Sequence, residues 1–472
     1  MRKPAQPAPF QDLLAGKITE DPDFLPRALA DVRAAGVRPY LPWDRFRFRT
    51  PPEDLSLDEW WLITRLMRQG MQRRLPLIAA DGSQFTYALP DEVLRGIEVA
   101  DKHLSGRLGV PEPVTHDAPS RARYVVSSLI EEAITSSQLE GASTTRRVAK
   151  DMLRSGRPPR TRDERMILNN YRAMRLVGEL RREDLNPALI CELHRVVTDG
   201  TLDDPGDVGR FQLPGEDRVV VEDMSDGSVL HRPPAARELP DRLQRLCDFA
   251  NGASDGGAYV PPVVRSIVVH FMLAYDHPFT DGNGRLARVL FYWSLLHQDY
   301  WLAEFLPISR LLRQAPAKYA RSFLYCEGDD GDLTYFVIYQ LGIVERAIND
   351  LQAYLERKVV ETRRLQQSLA LLSRHLNYRQ VALLGNAIKN PGVQYTVQSH
   401  SVSHNVAPQT ARTDLQDLER QGMLIKIEWH RGFAWRPAEN LRKLLSPASG
   451  TAPPRRRGGR SSGSAAPSVP PA

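Results

Sequence analysis

Two apolar runs, Val263–Tyr275 and Leu286–Leu296, most constrain the fold of this chain, because each has the length and composition of a buried helix. The segment between them is polar and places Gly282 and Gly284 on either side of Asn283, where the second helix should begin. Glycine allows a tight backbone turn, and the free N–H groups and dipole at a helix start favour an anion. The pattern therefore predicts a helical hairpin with an anion site at its turn.

Four ionisable residues of this turn indicate chemistry. Arg285 and Arg288 share one helix face, and two cations at a helix start are unfavourable unless an anion or a carboxylate joins them. His277 can accept a proton near neutral pH, and Asp281 offers the hard oxygen ligands that Mg²⁺ prefers. A plain helical hairpin needs none of these together, so the segment predicts a site for phosphoryl or nucleotidyl transfer.

Residues 277–288, with the sequence HPFTDGNGRLAR, resemble the signature of the Fic family, His-x-Phe-x-Asp/Glu-Gly-Asn-Gly-Arg-x-x-Arg, at every fixed position. The resemblance implies a helical Fic core that transfers AMP from ATP to a hydroxyl side chain of a protein. It also implies that His277 is the general base and that Asp281 holds Mg²⁺. The backbone of Gly282–Gly284 and the Asn283 side chain would then cradle the phosphates.

The resemblance assigns the remaining motif residues as well. Arg285 would neutralise charge on the leaving pyrophosphate, Arg288 would bind the γ-phosphate, and Phe279 would anchor the loop in the core. The kinase-like variant of the family carries a lysine in place of Gly284, so this glycine favours AMP transfer. A Fic enzyme that transfers another nucleotide or removes AMP stays an open alternative.

A second informative stretch begins with apolar residues at helical spacing and ends in the segment Ser136–Gly141. Ser136 and Glu140 lie four residues apart, so they share one helix face, and Gly141 is a natural helix stop. This segment resembles the Fic inhibitory motif Ser/Thr-x-x-x-Glu-Gly/Asn. The resemblance implies that Glu140 pairs with Arg288 and withholds it from the nucleotide; the alternative is a solvated glutamate at a helix end.

The rest of the chain predicts a mainly α protein in four parts: a helical extension over 1–110, the Fic domain over 111–355, a connector helix with a winged helix-turn-helix over 356–445, and a disordered tail over 446–472. In the extension, we expect a helix over Leu57–Leu75 and an N-cap at Asp91. Two β-rich runs within 209–232 predict a hairpin before the motif. In the Fic family such a flap holds the target chain by strand addition; the alternative is an ordinary surface hairpin.

The C-terminal pattern consists of helices near Val381–Ile388, Tyr395–Ser403 and 407–421, followed by two strands. Candidate DNA-phosphate contacts are Arg412, Lys426 and Arg431. Acidic residues on the third helix, namely Asp414, Asp417 and Glu419, argue against DNA and leave dimerisation or protein docking as the alternative. Because the order of helices and strands still fits a DNA-binding fold, a DNA-binding regulator whose Fic domain senses nucleotide is the second functional hypothesis.

Composition sets the remaining limits. The chain has 472 residues, a net charge of +6 and 42% hydrophobic residues, which are typical of a globular protein of several domains. The apolar runs fall short of the roughly 20 residues that span a bilayer. Cys191, Cys247 and Cys326 show no Cys-x-x-Cys spacing, which indicates reduced thiols. We therefore expect a cytoplasmic protein without membrane contact. Self-modification and a homodimer are further options for its partners.

Overall fold

The computed structural model describes residues 3–24, 26, 38–106, 118–223, 226–253, 258–372, 376–390, 392–429 and 432–444. The chain is mainly helical and divides into two compact units, residues 1–354 and 355–472. None of the described helices is both long enough and apolar enough to span a membrane. The predicted fold class is thus confirmed in its helical content, while the domain boundaries within each unit stay predictions.

The first unit consists of fourteen described α-helices, the last of which continues into the second unit. Their bounds are α1 Phe10–Glu20, α2 Trp43–Phe46, α3 Leu57–Gln69, α4 Asp91–Leu104, α5 Ala118–Leu139, α6 Arg146–Ser155, α7 Arg162–Glu179, α8 Pro187–Thr198, α9 Leu239–Ala250, α10 Pro262–Asp276, α11 Asn283–His297, α12 Ile308–Gln314, α13 Pro316–Glu327 and α14 Thr334–Leu372. Short 3₁₀ turns lie at Pro205–Asp207, Ala236–Glu238 and Trp301–Phe305.

The helical hairpin of α10 and α11 lies at the centre of the core of this unit. Almost every residue of both helices is buried, including large side chains such as Phe271 and Trp293. Burying a side chain of this kind stabilises the fold by about 1.5–3 kcal/mol, so the hairpin is held firmly on both sides of its turn. The prediction of two buried helices around a polar turn is confirmed.

Two predictions in the N-terminal part are wrong in detail. The helix expected to reach Leu75 ends at Gln69, because Gly70 follows it and the next residues alternate so that Leu75 and Leu77 are buried. These residues form strand β1, Arg73–Ile78, which pairs antiparallel with β2, Gln84–Tyr87. Asp91 is the first residue of α4 rather than its N-cap, since the preceding proline occupies the cap position.

The hairpin before the motif is present but short. Strand β3 is Val221–Glu222 and β4 is Val229–His231, and the two pair antiparallel. Arg218 lies before β3, and its side chain donates to the carbonyls of Asp276 and His277.

The second unit contains three helices followed by a two-stranded hairpin and a last short helix: α15 Tyr378–Lys389, α16 Val397–His404, α17 Pro408–Arg420, β5 Leu424–Trp429, β6 Gly432–Pro437 and α18 Leu441–Leu444. Strands β5 and β6 pair in register from Leu424 opposite Pro437 to Trp429 opposite Gly432. The predicted order of elements is confirmed. Arg431 and the predicted tail over 446–472 lie outside the described residues.

Candidate active site

The turn between α10 and α11 is set by two left-handed residues. Helix α10 ends at Asp276 and is capped by His277, whose φ is 46°, and Gly282 precedes α11 with a φ of 86°. A Cβ at position 282 would lie 2.7 Å from the side chain of Thr198, so only glycine fits there. The turn therefore presents the imidazole at one end and the first N–H groups of α11 at the other.

The tautomer of His277 follows from its hydrogen bond. Nδ1 lies 3.2 Å from the carbonyl oxygen of Ala274, which can only accept, so Nδ1 carries the proton. Among the described residues Nε2 makes no hydrogen bond, and its lone pair is available. Burial lowers the pKa of His277 to about 4, so the ring is neutral at pH 7. The residue thus has the protonation state of a general base.

Asn283 fixes the loop instead of facing outward. Its side-chain oxygen accepts the N–H of Phe279 at 3.0 Å, and its Nδ2 donates to the carbonyl of Phe279 at 2.8 Å. Both ends of the amide are thus occupied within a buried loop. The role of this side chain at a phosphate stays a prediction, whereas Phe279 is fully buried as expected.

Arg288 is held from the end of α5. Its Nε donates to the hydroxyl of Ser136 at 2.8 Å, and its Nη2 donates to the Ser136 carbonyl at 3.0 Å and to Oε1 of Glu140 at 2.8 Å. The Arg288 side chain is 2% exposed and that of Glu140 is 29% exposed. The sequence-predicted pair is present in the structure, with Ser136 as a second partner.

Gly284 explains how the Glu140 carboxylate reaches this position. A Cβ at residue 284 would lie 2.3 Å from Oε1 of Glu140, closer than any side chain allows. The carboxylate therefore rests on the first turn of α11, where the helix dipole and free N–H groups favour an anion.

Residues 184–295, which include this turn and the helices around it, match the model of the Fic/DOC family. The chain contains a Fic/DOC domain.

Sequence relatives lie within the same family. A protein named protein adenylyltransferase Fic from Drosophila willistoni is 30% identical over 160 residues, which cover 34% of this chain and 28% of that protein. A protein of the same name from Nematostella vectensis is 34% identical over 101 residues, which cover 21% of this chain and 20% of that protein. The chain thus spans less than a third of the length of the relatives it matches.

Two solved structures are similar to the chain. A Fic family protein from Desulfovibrio desulfuricans is 19% identical with a TM-score of 0.48, covering 75% of this chain and 98% of that one. Fic-1 from C. elegans is 20% identical with a TM-score of 0.42, covering 57% and 73%.

Asp281 is the metal-ligand candidate of the Fic domain. Its side chain is 49% exposed, and its Oδ2 lies 3.5 Å from Nη2 of Arg285. The described residues contain no group of three or more His, Cys, Asp or Glu that could hold a metal. One accessible carboxylate fits Mg²⁺, because this ion keeps several waters and takes other oxygens from phosphates.

Arg285 faces the same side of the loop from a buried position. Its Nη1 donates to the carbonyl of Val197 at 3.2 Å, and its Nε has no partner among the described residues. Burial lowers the pKa of this guanidinium, which indicates a cation with less solvation than it prefers. An added anion would satisfy it, as predicted for a residue facing pyrophosphate.

Two residues that position the Fic motif were missed in the sequence. His194 on α8 holds the motif: Nε2 donates to the carbonyl of Asp281 at 2.9 Å, and Nδ1 accepts the N–H of Gly209 at 3.0 Å. Its ring also stacks on Phe279 at 3.7 Å. Arg218 donates to the carbonyls of Asp276 and His277 at 2.6 and 3.1 Å. No local pattern marks either contact.

Proposed function

We propose that this chain transfers AMP from ATP to a hydroxyl side chain of a protein. The observation that carries the proposal is the neutral His277, with Nε2 available, across one turn from the start of α11 and its two buried arginines. A base facing an anion site suits attack by a hydroxyl on a phosphate. The names of the sequence relatives support adenylyl transfer as the reaction.

In this mechanism the target Ser, Thr or Tyr hydroxyl attacks the α-phosphorus of ATP in line with the leaving pyrophosphate. The new bond joins the hydroxyl oxygen to phosphorus, the bond to the bridging oxygen breaks, and Nε2 of His277 accepts the hydroxyl proton. Arg285 stabilises the charge on the pyrophosphate, and the backbone N–H groups at the start of α11 orient the phosphates. Asp281 would hold Mg²⁺, which supplies charge neutralisation when bound.

We extend the proposal to regulation by Glu140. Its carboxylate occupies the anion-favouring start of α11 and binds Nη2 of Arg288, so a nucleotide phosphate would meet a negative charge and an occupied arginine. Release of Glu140 would make the start of α11 and Arg288 available to the nucleotide. While Glu140 stays in place, the segment at the end of α5 inhibits the chain.

The flap, strands β3 and β4, would hold the target. The last residue of β4, His231, joins the flap to α10 and α13: its Nε2 lies 2.7 Å from the carbonyl of Tyr275, and its Nδ1 lies 2.8 Å from Oε2 of Glu327. A short hairpin anchored at its base suits strand addition by an extended target segment, because main-chain hydrogen bonds require little target sequence.

The test uses ATP labelled at the α- or the γ-phosphate, with Mg²⁺, on wild type, Glu140→Gly and Glu140→Gly/His277→Ala. We expect protein label from α-labelled ATP alone, strongest with Glu140→Gly and absent from the double variant. CTP, GTP and UTP labelled in the same way test the nucleobase. Label from the γ-position would contradict AMP transfer, and so would the absence of label from every variant on candidate targets and on the chain itself.

A further inference from the structure

The charge of the chain is concentrated in its second unit. Residues 355–472 contain 18 Lys and Arg against 7 Asp and Glu, although the whole chain carries only +6. The first unit is therefore net negative. A positive C-terminal quarter on an otherwise acidic chain is a charge distribution that attracts a polyanion.

The three acidic residues of α17 each contact other side chains of the second unit. Asp414 is 3% exposed and accepts hydrogen bonds from Arg379 at 2.7 Å and from Asn377 at 2.7 Å. Glu419 accepts the indole N–H of Trp435 at 2.7 Å. Asp417 is paired with a cation on its own helix. The acidic residues that argued against DNA in the sequence thus support the fold or are neutralised.

The outward face of α17 has a different chemistry. Its members lie at spacings that place them on one side of the helix, and all are exposed: Gln409, Arg412, Thr413, Gln416 and Arg420. Every residue of α17 is described, and the carboxylates beside this face are Asp417, which Arg420 neutralises, and Glu419, which accepts from Trp435. Arginine, glutamine and threonine are side chains that hydrogen-bond base edges in the DNA major groove.

The elements around α17 suit this use. Helix α16 ends at His404, Asn405 turns the chain in the left-handed conformation with a φ of 49°, and α17 begins at Pro408. The hairpin of β5 and β6 follows, with the exposed Lys426 ammonium 3.9 Å from the centre of the Phe433 ring. Two helices joined by a three-residue turn and followed by a hairpin form the arrangement that presents its second helix to DNA.

We propose that the second unit is a winged helix-turn-helix that binds duplex DNA, with the outward face of α17 in the major groove and Lys426 at a phosphate. A protein partner fits this face less well, because its exposed residues are polar and the exposed apolar Val402, Ile425 and Trp429 lie on other elements. Duplex RNA fits less well because its major groove is too deep and narrow to admit a helix.

The experiment uses the full chain in two measurements. Fluorescence anisotropy with a duplex of about 20 bp, two helical turns, measures affinity over a range of salt concentrations. Selection from a random duplex library then identifies preferred sequences. We expect affinity to fall steeply with salt and selection to enrich one sequence.

Variants locate the site. Arg412→Ala should weaken binding to the enriched sequence by about tenfold, the scale of one arginine contact to a base or phosphate. Gln416→Ala should reduce the preference for that sequence while random duplex binds as before. Arg357→Ala is the matched control, since it removes one exposed positive charge from α14, outside the helix-turn-helix, and should change affinity less than twofold.

Three outcomes would overturn the proposal. Binding without enrichment that is lost when Arg455, Arg456, Arg457 and Arg460 are replaced by alanine, but unaffected by Arg412→Ala, would assign the affinity to the C-terminal arginines. Stronger binding of a matched RNA hairpin would assign an RNA partner. Absence of DNA binding, with a change in sedimentation mass on Arg412→Ala, would assign α17 to contacts between copies of the chain.

Discussion

Two arginine–carboxylate pairs lie on either side of the motif loop, and they differ in how they can be broken. Asp276, at the end of α10, accepts from Nε of Arg242 at 2.7 Å; Glu140, beyond the end of α5, accepts from Arg288 at 2.8 Å. Asp276 is fully buried, whereas the Glu140 side chain is 29% exposed. The same interaction therefore acts in two environments within one site.

The buried pair of Asp276 and Arg242 indicates a structural contact, which we call the brace. The partly exposed pair of Glu140 and Arg288 indicates a contact that can be released, which we call the lock. Arg242 also donates to the carbonyl of Ile78, so it joins α9, β1 and the end of α10. Burial raises the pKa of Asp276 to about 6 even beside this arginine. Glu140 follows the last residue of α5 and precedes Gly141, whose φ is 95°, so a few backbone rotations would release it. We infer that only the second pair can regulate.

The largest effect is expected at the residue between the two pairs. His277→Ala in the Glu140→Gly background should lower kcat for AMP transfer by about 10²–10⁴-fold, because the attacking hydroxyl loses its base. Initial rates with α-labelled ATP measure this, and circular dichroism checks that the variant is folded. A kcat within twofold of the Glu140→Gly value would remove His277 as the base.

Breaking the brace should destabilise the fold. Asp276→Ala leaves Arg242 as a buried unpaired charge, which we expect to lower the free energy of unfolding by about 3–5 kcal/mol. Glu140→Ala should lower it less, because the Glu140 carboxylate is partly exposed and Arg288 keeps its two hydrogen bonds to Ser136. Urea unfolding monitored by circular dichroism compares the two variants, and equal losses would contradict the distinction between brace and lock.

Breaking the lock should increase activity. Hydrogen bonds to charged groups contribute about 1.5–3 kcal/mol, so Glu140→Gly should raise the rate of AMP transfer by about 10–100-fold. Glu140→Gln retains the shape without the charge and should give an intermediate rate. Equal initial rates for wild type and both variants would show that the pair does not restrain the reaction.

The smallest effect is expected from pH. Burial lowers the pKa of His277 to about 4, and the base is active when neutral, so kcat/KM of Glu140→Gly should stay constant from about pH 8 to 5 and fall only as pH approaches 4. In the unfolded chain the imidazole of His277 has its ordinary pKa of about 6.5, so it binds a proton at a higher pH than it does in the folded chain. The stability that the neutral, buried ring contributes is therefore lost as pH falls from about 6.5 towards 4. A midpoint of kcat/KM near pH 6.5 would indicate a solvent-exposed imidazole instead.

The sequence predicted those features that depend on short segments. Local geometry is defined by Gly282 and Gly284, by the apolar runs on both sides of them, and by the four-residue spacing of Ser136 and Glu140. The structure contains the predicted helix start after Gly282, and both Ser136 and Glu140 contact Arg288. The contacts of Arg218 and His194 to the motif join residues 58 and 87 positions apart, which no local pattern contains.

Some residues have two possible uses that the sequence does not distinguish. An asparagine at a helix start can bind a ligand or its own loop, and Asn283 binds the loop. For the acidic residues of α17, the sequence did not reveal that Asp414 binds Arg379 and that Glu419 binds Trp435. The predicted helix over Leu57–Leu75 continued too far, because the alternation that buries Leu75 and Leu77 was not distinguished from helical spacing.

The most direct test of the lock is calorimetric titration of a non-hydrolysable ATP analogue with Mg²⁺ into three forms of the chain: wild type, Glu140→Gly and Glu140→Gly/Arg288→Ala. We predict that Glu140→Gly binds about 10–100-fold more tightly than wild type, because Arg288 and the start of α11 become available to phosphate. The double variant should lose most of that gain. Equal affinity of wild type and Glu140→Gly would contradict the account, since Glu140 would then neither occupy the phosphate site nor withhold Arg288.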